Sequence, residues 1–299
     1  MPPKVITITN QKGGTGKTTL TALLGYALAE KGHRVLLIDL DPQTHLSSFF
    51  IKTDQLEDTS DGSFELIEGY RWRIRPVLRA LKSGGKLDLI PSGVNYMIKS
   101  YRGQLSSART FALRTKISTE VAINQNYDYV LCDTPPELYP PTTWGLYAAD
   151  YLLIPMNTEE LSFAGVKLFL KHIFPDLVRE LRTAEKDIKL LGIVYVNVLR
   201  PKRRTGRGSL GRLKIIEEMS RKLERFIRDE LDYILRQYIY NPPVFNTIIH
   251  RDSTLRDLPY RPRRRAIPLQ RILSKKPMDE VFRLAEEVVE RINNFRGLS

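Results

Sequence analysis

Residues 5–19 read Val5-Ile6-Thr7-Ile8-Thr9-Asn10-Gln11-Lys12-Gly13-Gly14-Thr15-Gly16-Lys17-Thr18-Thr19. The first five are all β-branched and lead into a glycine cluster, which predicts a short strand ending in a turn. From Lys17 to Lys31, Leu20, Leu23, Leu24 and Leu28 recur at helical spacing, and Gly32 stops the run. Between strand and helix, Gly13, Gly14 and Gly16 let the backbone fold tightly enough for successive N–H groups to converge on one anion. The helix N-terminus adds its partial positive charge. Strand, glycine loop and helix in this order form the context of a phosphate-binding loop. In it, Lys17 bridges the β- and γ-phosphates of a nucleoside triphosphate and the Thr18 hydroxyl ligates Mg²⁺, with Thr15 and Thr19 completing the loop.

The loop departs from the ordinary G-x-x-x-x-G-K-[ST] pattern, because Gln11 stands where its first glycine belongs and a second lysine, Lys12, precedes the paired glycines. Lys12 is poorly placed to fold back onto its own nucleotide. Its natural use is to reach a nucleotide held by a second subunit, so that ATP closes a homodimer and hydrolysis releases it.

Further along the chain, Val35–Ile38, Leu87–Ile90, Tyr129–Cys132, Tyr151–Ile154 and Leu190–Val196 are continuous apolar runs, as strands buried on both faces should be. Helical segments separate them, around Arg109–Asn124, Leu161–Leu181 and Arg212–Arg236. The alternation predicts an α/β fold: a doubly wound, mostly parallel sheet flanked by helices. Ligands in such sheets sit beyond the carboxyl ends of the strands. No composition shift cuts off a second domain, so residues 1–299 are expected to form one unit, with a basic last third from about 201. Pro201–Gly211 reads as a basic glycine-rich loop, and 257–265 as a proline-broken basic segment.

Asn10 to Thr19, followed by Asp39-Leu40-Asp41-Pro42-Gln43, Asp133-Thr134-Pro135-Pro136, Ala148-Ala149-Asp150 and Leu161-Ser162-Phe163-Ala164-Gly165, resembles the ParA/MinD superfamily of deviant Walker A ATPases, most of all its ParA branch. The resemblance covers about residues 4 to 200 and loosens beyond. It implies a P-loop NTPase fold, ATP hydrolysis and Mg²⁺. Acids at strand ends beside a phosphate loop can hold the metal through water or orient the attacking water. Asp133 matches the Walker B position and goes to Mg²⁺; the resemblance implies that Asp41 positions the hydrolytic water and Asp39 supports the metal shell. Asn197, after the Leu190–Val196 run, is the candidate for adenine, and a late loop near Pro242 to Asn246 is a second place to look. Glu137 stands where many relatives carry a small residue, which nothing in the sequence explains.

The net charge is +13, and from Arg200 onward 24 Lys+Arg face 13 Asp+Glu, against 23 and 21 in residues 1–199. A concentrated positive field attracts polyanions, most commonly nucleic acid. Lys202, Arg203, Arg204, Arg207 and Arg212 form one candidate DNA-binding cluster; Arg251 with Arg263, Arg264 and Arg265 forms another. With no helix-turn-helix pattern, contacts to phosphates alone give sequence-independent binding to double-stranded DNA. The resemblance implies plasmid or chromosome partition, with a centromere-binding or adaptor protein that stimulates the ATPase. It equally admits a relative that positions a non-DNA cargo. A MinD-like membrane switch is the alternative, resting on the amphipathic run Met278–Phe295, whose glutamates favour core packing instead. The single cysteine, Cys132, rules against a subunit-bridging iron–sulfur cluster and a disulfide framework. No signal peptide or membrane span is read, so the expected setting is cytoplasmic and nucleoid-associated.

Overall fold

A computed structural model describes residues 1–52, 55–56, 59–78, 81–105, 109–199, 206–252 and 275–295. Seven strands, β1 Lys4–Ile8, β2 Arg34–Asp39, β3 Arg75–Leu78, β4 Lys86–Ile90, β5 Tyr129–Asp133, β6 Tyr151–Met156 and β7 Lys189–Tyr195, form one sheet in the order β3-β4-β2-β5-β1-β6-β7. Every pairing is parallel except β3 with β4. Side chains alternate across the sheet. Ile6, Ile8, Val35, Leu37, Leu131 and Leu153 pack against α1 (Lys17–Glu30), while Leu36, Ile38, Val130 and Cys132 meet Tyr96, Leu113 and Trp144 on the other face. Both faces are covered, which is why these strands read as unbroken apolar runs.

The connecting helices are α2 His45–Ser48, α3 Ser63–Glu68, α4 Val94–Tyr101, α5 Ala112–Thr119, α6 Val121–Asn124, α7 Pro140–Ala148, α8 Glu160–Leu168, α9 Phe174–Thr183, α10 Gly206–Glu230, α11 Tyr233–Arg236 and α12 Lys275–Asn293. The run expected over Arg109–Asn124 is two helices, since Glu120 adopts an extended conformation between α5 and α6. The run expected over Leu161–Leu181 is helical throughout, with one π turn at Phe169–Ile173 joining α8 to α9. The expected loop over Pro201–Gly211 needs correction from Gly206 on, where α10 has begun. Glycine costs a helix about 1 kcal/mol per residue. Ile216, Met219, Leu223, Phe226 and Ile227 outweigh that by packing against β6, β7 and α9. The expected helix over Arg212–Arg236 breaks at Leu231, with Asp232 capping α11 through the Ile234 N–H at 2.9 Å.

After α11 the chain runs beside β7 and extends the sheet irregularly. Tyr240 N donates to Leu190 O (2.9 Å), Phe245 N to Ile193 O (2.9 Å), Ile249 N to Tyr195 O (2.9 Å) and Arg251 N to Val198 O (2.7 Å). This close approach needs Gly192, at φ 142: a Cβ there would lie 2.5 Å from both Pro243 O and an Arg291 guanidinium nitrogen. From outside, α12 fastens the segment. Arg291 donates to Leu191 O, Pro242 O and Val244 O, and Glu287 accepts from the N–H groups of Asn246 and Thr247. The apolar face of α12 (Val281, Leu284, Ala285, Val288, Ile292) is buried in the core it shares with α1. That is the core-packing role its glutamates suggested, and no described helix is long and apolar enough to cross a membrane.

Candidate functional site

The glycine loop leaves the carboxyl end of β1, which lies between β5 and β6 in the sheet. Gly14 (φ 76) and Gly16 (φ 83) take left-handed conformations, as a tight loop requires of glycine. Gly16 is also the N-cap of α1, so the loop ends at a helix N-terminus. Lys17 curls under the loop and donates to Asn10 O (2.9 Å) and Lys12 O (3.2 Å). Burial pushes its pKa down, opposed by the charges of Asp133, Asp41 and Glu137.

The three predicted carboxylates converge from β2 and β5, which pair with Asp39 opposite Asp133. Asp133 Oδ1 accepts from the Thr21 hydroxyl at 3.2 Å, and the nearby Thr18 hydroxyl favours its charged form. The other Asp133 oxygen, Oδ2, is buried with no hydrogen-bond partner among the described residues. Asp39 is fully buried and accepts from Ser47 N (2.8 Å), Ser47 Oγ (2.6 Å) and Asp41 N (3.0 Å). Desolvation, then the neighbouring Asp41, pushes its pKa up to about 7, and burial raises Asp133 as well. Crowded, desolvated carboxylates beside a threonine hydroxyl make an all-oxygen donor set. Together with the orphaned Oδ2 of Asp133, that set fits a hard divalent cation such as Mg²⁺. Asp41 Oδ1 accepts from Gln43 N (2.9 Å), and its Oδ2 lies 3.6 Å from His45 Nδ1, which raises the His45 pKa.

A cavity of about 1030 Å³ opens beyond these strand ends. Gly13, Gly14, Gly16, Lys17, Thr18 and Thr19 form its floor, and Asp41, His45, Glu137 and Tyr139 one wall. The opposite wall is Val196, Asn197 and residues 249–252. Asn197 is exposed there in a left-handed conformation (φ 58). The second place expected for a base contact, near Pro242 to Asn246, is not among the residues that line this cavity. Residues 242–246 are held against β7 and α12, and Ile249, His250, Arg251 and Asp252 reach the cavity instead. Nothing local in the sequence marks these four, because long-range pairing with Tyr195 and Val198 carries them there. Arg251, which the sequence groups with a DNA-binding cluster, lines this cavity.

Lys12 behaves differently from Lys17. Its side chain is not among those lining the cavity, and its ammonium pairs with Glu159, just before α8. Its N–H donates to Asn10 Oδ1 (2.9 Å), while Asn10 Nδ2 donates to Pro155 O (2.7 Å), so the loop's entry is tied to the end of β6. The ammonium in turn holds Glu159 below the usual carboxylate range. Glu159 carried no motif signal. Of the basic candidates, Lys202, Arg203, Arg204, Arg263, Arg264 and Arg265 lie outside the described residues. Arg207 and Arg212 fall in the first two turns of α10, where the backbone alone is described.

A family model described as an AAA domain matches residues 3–186. The "Probable plasmid-partitioning protein ParA" of Thermus thermophilus is 30% identical over 291 residues, covering 97% of this chain and 79% of its own. The structure of pNOB8 ParA bound to nonspecific DNA superposes with a TM-score of 0.78 at 27% identity, over 98% of this chain and 99% of that one. Cobyrinic acid a,c-diamide synthase from Mycobacterium smegmatis, with bound ATP analog and magnesium, gives 0.63 at 25% identity over 99% and 98%. With the phosphate loop between β1 and α1 and the acids at the ends of β2 and β5, these likenesses agree: the chain belongs to the ParA/MinD superfamily, close to the ParA-type partition ATPases.

Proposed function

We propose that this protein hydrolyses ATP as a dimerising switch that holds non-specific DNA and drives plasmid or chromosome partition. The observation that carries the reading is the division between two lysines of one loop. Lys17 occupies the position under the loop from which a lysine serves its own nucleotide, while Lys12 turns off the cavity wall onto Glu159. A lysine so placed could exchange the exposed Glu159 carboxylate for a triphosphate in a facing copy. Charge from the second subunit would then complete the site only in the dimer, much as an arginine finger does in trans.

Within one subunit, the loop N–H groups and Lys17 would bind and orient the triphosphate. Mg²⁺, held by Thr18 and Asp133 with Asp39 behind them, would supply counter-charge to the phosphate oxygens. Asp41, whose carboxylate is steadied by Gln43 N–H, would orient the attacking water. Catalysis is then positioning plus electrostatics, and turnover is expected to be slow.

Support for DNA binding comes from charge: residues 200–212 hold six basic residues and no acid. By contrast, Arg221, Lys222 and Arg228 on α10 pair with Glu217, Glu218 and Asp229. ATP-driven dimerisation would double the basic surface, so two weak sites act together. The relative bound to nonspecific DNA adds weight. The buried apolar face of α12 leaves the membrane alternative without its anchor. The test is binding to a random-sequence duplex with ATP, ADP or no nucleotide across a salt series. Tight binding with ATP alone, collapsing as salt rises, is expected; affinity indifferent to both would overturn the reading.

A further inference from the structure

Asp41 presents its two carboxylate oxygens to different partners. Oδ1 accepts from Gln43 N–H (2.9 Å), whereas Oδ2 lies 3.6 Å from Nδ1 of His45. The backbone aims the pair. Thr44 N–H donates to Asp41 O (2.9 Å), closing a turn, and Thr44 itself takes a left-handed conformation (φ 58). A β-branched residue adopts that conformation at a cost, and such strain persists where the surrounding structure demands it. Here it opens α2 with the His45 side chain turned back to Asp41, at the i,i+4 spacing. Ser48 Oγ donates to His45 O (2.7 Å) and steadies that turn. The Asp41 side chain is 8% exposed and that of His45 63%, and both line the cavity.

We propose that His45 is a positioning residue of the hydrolysis step: its protonated ring clamps Asp41 Oδ2, and its neutral ring leaves that oxygen to the attacking water. This rests on the ATPase reading, with Asp41 as the group that orients the water. Oδ1 already accepts a backbone N–H, so Oδ2 is the freer acceptor for a water. An imidazolium brings a donor and a positive charge; it would close the 3.6 Å gap to an ion pair and weaken Oδ2 as an acceptor. For a neutral ring 3.6 Å is too long for a hydrogen bond, so Oδ2 is held loosely. Charged groups face the ring from several elements. The Asp41 carboxylate above all, then Asp39 at the end of β2 and Asp133 at the end of β5, raise the His45 pKa above its ordinary 6.5. Lys17 and Glu137 share the cavity with it, and His250, Arg251 and Asp252 stand on the opposite wall. A bound triphosphate adds negative charge and acts in the same direction as the carboxylates. The clamp therefore opens on the alkaline side of 6.5.

The experiment measures kcat and KM for ATP, with Mg²⁺ and across a pH series, in the full chain as wild type, His45→Gln and His45→Asn, with melting curves to establish that each variant is folded. Wild-type kcat should climb with pH through an inflection above 6.5, falling about tenfold per pH unit on the acid side, as a single proton requires. Both variants should lose that inflection and outrun wild type on the acid side, with KM little moved. His250 and the carboxylates titrate in all three proteins, so the difference between profiles belongs to His45. Nuclear magnetic resonance of the histidine rings reads the pair directly. The His45 signal, identified by its loss in His45→Gln, should titrate above 6.5 in wild type and at lower pH in Asp41→Ala. Identical pH profiles in wild type and variants, or a His45 ring that titrates alike with and without Asp41, would overturn the proposal and leave the ATPase reading standing. Wild type that turns over no ATP at any pH would sink both.

Discussion

Arg291 offers a stability test whose size can be worked from the structure. Its side chain is 2% exposed, with Nη1 donating to Leu191 O (2.8 Å) and Pro242 O (3.0 Å) and Nη2 to Val244 O (2.7 Å) and Glu287 Oε1 (2.9 Å). The guanidinium lies 3.8 Å from the Phe245 ring centroid and 4.5 Å from that of Tyr240. Arg291→Met keeps most of the volume but strands three carbonyls and a carboxylate that is 13% exposed. Breaking a buried pair from one side costs about 3–5 kcal/mol. For a domain of this size that is a fall of roughly 10 °C in melting temperature. Urea unfolding followed by far-UV circular dichroism measures it. Because the same guanidinium fastens the segment leading to residues 249–252, affinity for a non-hydrolysable ATP analogue should fall as well. A loss under about 1 kcal/mol would refute the argument, since it would mean that water or the methionine fully replaces the clamp.

Asp41→Ala should still bind ATP but fail to hydrolyse it, which a phosphate-release assay checks; normal turnover would remove Asp41 from the water-orienting role. Asp39, raised to about 7 from an ordinary value of 3.8, holds a proton when folded that the unfolded chain releases. Its contribution to stability is therefore present below about pH 4 and lost as pH rises toward 7, with Asp133 acting in the same direction. Metal-free protein should become easier to unfold in urea between pH 5 and pH 8, and Asp39→Asn should flatten that slope. Replacing Arg203 and Arg204 together by alanine should weaken DNA binding on every sequence alike and lower the salt slope by about 0.9 for each phosphate that the protein no longer neutralises.

The core of the site was legible because its signals are local. The β-branched run, the glycines and Lys17 lie within fifteen consecutive residues, and the acids stand at the ends of apolar runs. Burial on both faces made those runs continuous, so β1, β2, β4, β5, β6 and β7 could be read directly. β3 could not: Arg75-Pro76-Val77-Leu78 has a proline and a charge, which an edge strand tolerates and a periodicity reading rejects. The cavity wall at residues 249–252 was invisible for another reason. Residues 249–252 reach the cavity through pairing with Tyr195 and Val198, and Glu280 grips His250 from thirty positions away. The Lys12 to Glu159 pair spans 147 positions. Contacts of that kind are set by the order of strands in the sheet, which no window along the chain contains.

The switch itself is tested most directly by light scattering on Asp41→Ala, which should hold ATP without consuming it, beside the same protein carrying Lys12→Ala. The first should double its mass when ATP and Mg²⁺ are added, and the second should stay a single subunit while still binding nucleotide. A doubled mass in both proteins, or in neither, would contradict the assignment of Lys12 to the neighbouring triphosphate.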